Sequence, residues 1–170
     1  MTYDLGIIGA GPAGYVAAER AGSKGLSTVL FDKQFIGGVC LNEGCIPTKT
    51  LLHTAKLYEY AKEGKKYGLE LDGVSYDMSR LMKRKEKMVK KLVGGVKSQL
   101  KNSNVEMVMN EASIREKNAE HIKIQANETV FECRNLLLAT GSETFFPPIT
   151  GLKQENVYTN REILQIEKIP

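Results

Sequence analysis

The chain has 170 residues and a formal net charge of +4, from 24 Lys and Arg against 20 Asp and Glu, so it can hold one domain with a real core and its charge does not demand a nucleic-acid partner. No stretch approaches the roughly 18 apolar residues that a bilayer span needs, and the first residues lack the basic region and apolar run of a secretory leader, so no membrane role is expected. Three cysteines are an odd count that does not suit an extracellular disulfide framework, which points to a cytoplasmic protein.

Tyr3 to Ile8 reads as a short buried strand, followed at once by Gly9-Ala10-Gly11-Pro12-Ala13-Gly14. Val16, Ala17, Ala18 and Ala21 then fit a helix packed on a sheet, and Ser27 to Phe31 is a second apolar run ending at Asp32. This is the strand–GxGxxG–helix–strand–acid order of a dinucleotide-binding unit. Gly9 permits the tight turn, Gly11 lets backbone approach a pyrophosphate, and Gly14 lets helix and strand pack closely. Phosphates would sit on the helix N-terminus, with Asp32 accepting hydrogen bonds from a ribose. The fingerprint alone is weak; the strand before it, the helix after it and an acid eighteen residues past Gly14 make it specific.

Next comes Gly37-Gly38-Val39-Cys40-Leu41-Asn42-Glu43-Gly44-Cys45-Ile46-Pro47-Thr48-Lys49. In a regular helix, Cα atoms five residues apart lie about 8–9 Å from each other, whereas a disulfide needs about 4.4–6.8 Å. If Cys40 and Cys45 are bridged, the segment between them is irregular, and Gly44 supplies the backbone freedom. Pro47 suits the first turn of a following helix, and the unpaired N–H groups there favour a thiolate at Cys45. A six-residue ring is also a weak staple, about 2 kcal/mol in the chain-entropy model, so chemistry explains the pair better than stability does. Zinc is the rival reading, but a structural site wants four ligands and no second CxxC or close histidine pair is present; no metal is expected.

The helix from about Pro47 should run towards Glu63, with Gly64 as terminator. Cys45, Lys49 and Lys56 fall near one of its faces. A long helix is expected from about Asp77 to Asn102, with Met78, Leu81, Met88, Val89, Leu92, Val96 and Leu100 as its apolar stripe. Its other face, with Arg80, Lys83, Arg84, Lys85, Lys87, Lys90, Lys91, Lys97 and Lys101, reads as solvated, because no aromatics interleave the charges. Gly94-Gly95 weakens this helix by about 1 kcal/mol per glycine. Val105 to Met109 reads as a third parallel strand. Short runs at Ser113–Arg115, His121–Gln125 and Thr129–Cys133 suit an antiparallel meander with turns near Asn118 and Asn127. Asn135 to Ala139 reads as a separate buried strand ending in Thr140-Gly141-Ser142, and Pro147-Pro148 and Gly151 as an exit linker. Cys133 is expected to be a small buried hydrophobe, and His121 a structural residue.

A dinucleotide fingerprint followed closely by GGxCxNxGCxPxK resembles the flavin-dependent pyridine nucleotide–disulfide oxidoreductases, and the resemblance runs from residue 1 to the end of the chain. Within that family, Cys45 to His53 is most similar to the branch that oxidises dihydrolipoamide. The resemblance implies an α/β fold: a Rossmann-like FAD-binding domain with parallel sheet, crossover helices and a small antiparallel meander, ending before the NAD-binding domain. Residues 1–146 would form the FAD-binding part and residues 147–170 a connection toward the nicotinamide domain. It implies Cys40 and Cys45 as a catalytic redox disulfide, with dihydrolipoamide exchanging at Cys40 and Cys45 facing the flavin. The FAD contacts it implies are Gly9, Gly11, Pro12, Ala13, Gly14, Asp32, Lys33, Gly38, Val39, Cys40, Cys45, Lys49, Ala112, Ala139, Thr140 and Gly141. The Lys49 cation would stabilise negative charge on the reduced flavin. His53 would not be the base, which the family draws from later sequence. NAD would bind outside this stretch, and the partners would be a lipoyl-bearing acyltransferase or a glycine-cleavage lipoyl protein, in a homodimeric parent enzyme. Val39 departs from the usual threonine, and Asp32 from the usual glutamate. Two alternatives remain: a non-catalytic flavin-binding fragment, and a disulfide reductase of the glutathione or mercuric type.

Overall fold

The computed structural model describes residues 2–152 and 154–169. Met1, which opens the expected 1–146 part, and Lys153 and Pro170 of the 147–170 connection lie outside the described residues. The chain divides into two compact units. One takes the chain up to Cys40 together with Leu92–Glu143; the other takes Leu41–Lys91 and the chain from Thr144 onward.

The first unit is built on one six-stranded sheet. Its strands are β1 (Thr2–Ile8), β2 (Thr28–Phe31), β3 (Glu106–Val108), β4 (Ala112–Lys117), β5 (Ile122–Ala126) and β6 (Thr129–Leu138), in the order β3-β2-β1-β6-β5-β4. The four strands β3, β2, β1 and β6 are parallel, and β6-β5-β4 are antiparallel. Both the parallel sheet and the meander are as the sequence predicts. The difference lies in β6. The runs at Thr129–Cys133 and Asn135–Ala139 join in one ten-residue strand, Thr129–Leu138, which pairs with β5 over residues 129–133 and with β1 over residues 132–138. Nothing between them breaks the backbone: Arg134 can stay extended because it points to water and its guanidinium binds Asp4 Oδ1 at 2.6 Å. Leu137 and Leu138 were expected to be buried, yet are 36% and 60% exposed.

Helix α1 (Pro12–Ser23) crosses from β1 to β2, and Gly14 and Ala18 are its buried residues. A Cβ on Gly22 would stand 2.2 Å from Ser103 O, so small residues four apart let the helix lie close against its neighbours. β2 is buried at all four positions, the mark of a central parallel strand covered on both faces. One face carries the cluster Tyr3, Val29, Phe31, Ile124, Ala126 and Cys133. The meander supplies half of that cluster because β1 is bare at Gly6, where a Cβ would meet Cys133 Sγ and Ile124 Cδ1 at 2.9 Å. Both expected turns form, one with Asn118 Oδ1 accepting the N–H groups of Glu120 and His121, the other with Asn127 at φ 51°.

In this core the Tyr3 hydroxyl donates to Glu106. Burial, and then that hydrogen bond, push the phenol up to about 12. The folded state therefore keeps its proton where an unfolded tyrosine loses it near pH 10, and the associated stability falls as pH rises from about 10 to about 12. Tyr3→Phe is expected to flatten that part of the profile, measured as urea midpoint against pH; an unchanged slope would show that other groups carry it.

The second unit holds α3 (Cys45–Lys62), a 3₁₀ turn (Gly64–Tyr67), the first part of α4 (Met78–Asn102) and α5 (Asn160–Ile163). α3 ends where expected, at Lys62 with Glu63 as its C-cap and Gly64 next; Gly64 is buried at the start of the 3₁₀ turn, and the left-handed residue is Gly68 at φ 73°. A Cβ on Gly64 would press on Leu71 Cδ1 at 3.2 Å, so packing is what requires the glycine there. α4 begins where expected, with Asp77 Oδ1 accepting the Arg80 N–H. It runs through Gly94-Gly95, and a Cβ on either would meet nothing within 4 Å. Two residues of the expected solvated face turn inward instead: Arg84 Nη1 donates to Thr50 O at 3.2 Å and ties α4 to α3, and Lys85 is buried with Nζ donating to Leu164 O. Among the described residues no helix is long and apolar enough to cross a membrane.

Candidate functional site

The carboxyl ends of β1, β2 and β6 meet in the first unit, where an open parallel sheet places its ligand crevice. Three backbone bonds define the spot: Gly9 N–H donates to Phe31 O at 2.8 Å, Ala139 N–H to Ile8 O at 2.8 Å, and Gly37 N–H to Ala10 O at 2.8 Å. Gly9 is squeezed between strands, since a Cβ there would lie 2.2 Å from Ala139 O. A Cβ on Gly14 would lie 1.7 Å from Gly9 O, which fixes the close approach of α1 to its own loop. Pro12 and Ala13 are exposed in the first turn of α1, and its N-cap, Gly11, offers no side chain to the helix N–H groups. Those groups are left for an anion.

Gly11 behaves differently from its neighbours. A Cβ there would touch only Gly38 Cα, at an ordinary 3.9 Å, so the chain's own packing does not call for glycine. A Gly11 without a side chain leaves that stretch of backbone open to close approach. Gly38 faces Gly11 from the other side: it sits at φ 57°, and its Cβ would come within 2.6 Å of Gly11 Cα. The segment leading to Cys40 is thus pressed against the glycine loop.

Asp32 stands at the end of β2, but its carboxylate already organises backbone. Oδ2 accepts the Ala10 N–H at 2.7 Å, and Oδ1 accepts from Gln34 and Phe35 at 2.8 and 3.2 Å. It holds the glycine loop to β2, and Oδ2, which accepts one hydrogen bond, keeps a lone pair for a hydroxyl. Lys33 is exposed and lies 3.9 Å from Glu111. Ala112 opens β4 and packs on the core. Ala139, Thr140 and Gly141 leave β6 beside Gly9, with Gly141 at φ 74°.

Cys40 sits half-buried in α2 (Gly38–Asn42), after the exposed Val39. Cys45 is the exposed first residue of α3, whose N-cap Gly44 makes no side-chain cap. Cys133 is buried; its thiol donates to Ile122 O at 3.7 Å, and burial pushes its pKa up, which makes it inert. In the second unit Lys49 and His53 follow Cys45 along α3, and both are exposed. His121 has a buried Nδ1 without a hydrogen-bond partner among the described residues. No group of three or more His, Cys, Asp or Glu among the described residues is placed to hold a metal.

Sequence reasoning missed the surroundings of Glu43. Its carboxylate accepts from Arg161 Nε at 2.7 Å and its carbonyl from Asn160 Nδ2 at 3.0 Å. The only sequence signal nearby is Thr159-x-x-Glu162, a capping box that the structure forms at the start of α5.

Sheet order, glycine loop and acidic strand end define a Rossmann-like α/β protein with a dinucleotide fingerprint. Residues 3–170 match the profile of the pyridine nucleotide-disulphide oxidoreductases, and the chain belongs to that family. It is 42% identical to a dihydrolipoyl dehydrogenase of Mycoplasma genitalium over all of its own length and 37% of that protein's. It is 36% identical to the dihydrolipoyl dehydrogenase of Bacillus subtilis over 98% of its own length and 37% of the relative's. Among solved structures it is similar to an HOCl-induced flavoprotein disulfide reductase from Escherichia coli, studied as a Cu(II) complex. The TM-score is 0.76 at 27% identity, covering the whole of this chain and 36% of the other. The chain thus spans little more than a third of the length of each of these three.

Proposed function

We propose that this chain is the FAD-binding and dithiol-bearing part of an enzyme that oxidises dihydrolipoamide with NAD⁺. Residues 1–146 form the FAD-binding part, and residues 147–170 lead toward a nicotinamide domain. The observation that carries the reading is the contact of Gly38 with Gly11: it brings the backbone two residues before Cys40 onto the loop that fits a pyrophosphate. Gly9, Gly11, Pro12, Ala13 and Gly14 would hold the phosphates, and Asp32 and Lys33 the ribose end. Gly38, Val39, Cys40, Cys45, Lys49, Ala112, Ala139, Thr140 and Gly141 would complete the flavin's surroundings. FAD, when bound, supplies the two-electron acceptor between the dithiol and NAD⁺.

The chain's own share is sulfur chemistry. In the oxidised pair, a dihydrolipoamide thiolate attacks the Cys40 sulfur and Cys45 leaves as a thiolate. The second substrate thiolate then displaces Cys40, forming the lipoamide disulfide and leaving the Cys40/Cys45 dithiol. Two electrons have passed to the cysteines. The α3 N-terminus and the Lys49 ammonium would favour negative charge beside Cys45. A lipoyl-bearing acyltransferase or glycine-cleavage lipoyl protein would deliver the substrate to a homodimeric enzyme. A second reading is a flavin-binding piece without turnover.

One set of measurements on the purified protein separates these. Under the first reading it retains flavin by visible absorption, and peptide mapping after air oxidation shows a Cys40–Cys45 bridge with Cys133 alkylatable. Retained flavin without lipoamide-dependent NAD⁺ reduction supports the second. A bridge to Cys133 would overturn the assignment of the redox pair.

A further inference from the structure

Glu43 is gripped at two points by consecutive residues more than a hundred positions away. Arg161 holds its carboxylate and Asn160 its backbone carbonyl, within the second unit. The ion pair is withdrawn from solvent, with side chains 30% and 18% exposed. The Lys66–Glu63 pair, by contrast, is 68% and 49% exposed and of the kind that contributes little. The grip is also braced. Thr144 Oγ1 donates to Asn160 Oδ1 at 3.1 Å, which aims the amide NH₂ at Glu43. α5 spans only four residues, too few to hold its own shape. Its first turn is closed by the Thr159–Glu162 capping box, and its C-cap carbonyl at Leu164 accepts from the buried Lys85 Nζ at 2.8 Å. A buried lysine spent on one carbonyl is an expensive anchor. What it anchors ends on Glu43, beside Gly44, the most permissive residue between the two cysteines.

We propose that Arg161 and Asn160 are positioning residues for the cysteine pair: by fixing Glu43 they hold the Gly44 turn in a conformation from which the Cys40–Cys45 ring closes. The proposal rests on the reading of Cys40 and Cys45 as a redox pair. Ring closure is an intramolecular displacement, and its rate depends on how often the intervening backbone presents one sulfur to the other. A freed Gly44 visits many conformations that do not.

The test uses oxidised glutathione as the oxidant. Cys40 thiolate attacks one sulfur of the glutathione disulfide, giving a Cys40–glutathione mixed disulfide and one released glutathione. Cys45 thiolate then attacks the Cys40 sulfur and expels the second glutathione. The two electrons of the cysteine pair go to the glutathione disulfide, and the two thiol protons end on the released thiols. Acid-quenched samples read by intact mass follow adduct and ring separately.

In Arg161→Met and in Glu43→Gln the first step is expected to be unchanged and the second about tenfold slower, so the adduct accumulates. Arg161→Lys, which keeps the charge without the planar fork, should fall between. Asn160→Ala, which leaves the ion pair in place, serves if Arg161→Met does not fold. A purely structural role would lower the melting temperature without changing the ratio of the two steps, and would overturn the proposal. So would closure at the unsubstituted rate in Arg161→Met. If the unsubstituted protein forms neither adduct nor ring, the redox-pair reading itself fails.

Discussion

Cys45→Ser in the complete enzyme is expected to abolish dihydrolipoamide-dependent NAD⁺ reduction, by on the order of 10³-fold or more, because residues that act as one unit fail together. The serine hydroxyl is nearly isosteric, and Cys45 is exposed at the first position of α3, so the fold should be untouched. Flavin content should stay normal for the same reason, since the substitution changes one atom of a near-isosteric side chain. Cys40→Ser is equally inactive but fails differently: it leaves the Cys45 thiol and removes the sulfur that exchanges with substrate. Cys133→Ser should retain turnover and lose stability instead, because the new hydroxyl sits buried against Ile122 O. The decisive measurement is steady-state turnover with flavin stoichiometry for the three variants. Turnover in Cys45→Ser near that of the unsubstituted enzyme would place the chemistry elsewhere.

The glycine loop separates ligand demand from packing demand. Gly11→Val should fold and lose flavin, with binding weakened a hundredfold or more, about 2.8 kcal/mol. The first added carbon finds only Gly38 Cα at 3.9 Å, and the branched methyls then extend into the space over the helix N-terminus where phosphate must approach. Gly14→Ala should do the opposite. Its Cβ would lie 1.7 Å from Gly9 O, a clash with backbone that cannot rotate away, so a loss of about 3 kcal/mol or more is expected. Thermal melts and flavin spectra on both variants distinguish the cases. A stable, fully yellow Gly11→Val would remove the argument that this glycine serves a cofactor.

Strand β1, the glycine loop, α1, the acid-ended β2 and the amphipathic α4 were readable along the chain because each is a local pattern: period, cap and turn residues within one window. The Cys40–Cys45 spacing and the α3 start are of the same kind. β6 was misread as two strands because a polar Arg134-Asn135 step resembles a break. Only its pairing, with β5 on one stretch and β1 on the next, keeps the backbone extended through it. Gly64 does follow the end of α3, but a glycine that permits left-handed backbone and one that permits close packing look alike in sequence, and Gly64 is of the second kind.

The sequence by itself determined the class of fold, the phosphate-binding loop and the two cysteines, since those rest on neighbours in the chain. Tertiary structure alone decided which glycine is required by which neighbour, and that Asp32 braces the glycine loop through Ala10. It alone decided that Arg161, 118 positions away, meets Glu43. Such contacts depend on where separate elements come to lie, and no periodicity or spacing carries that information.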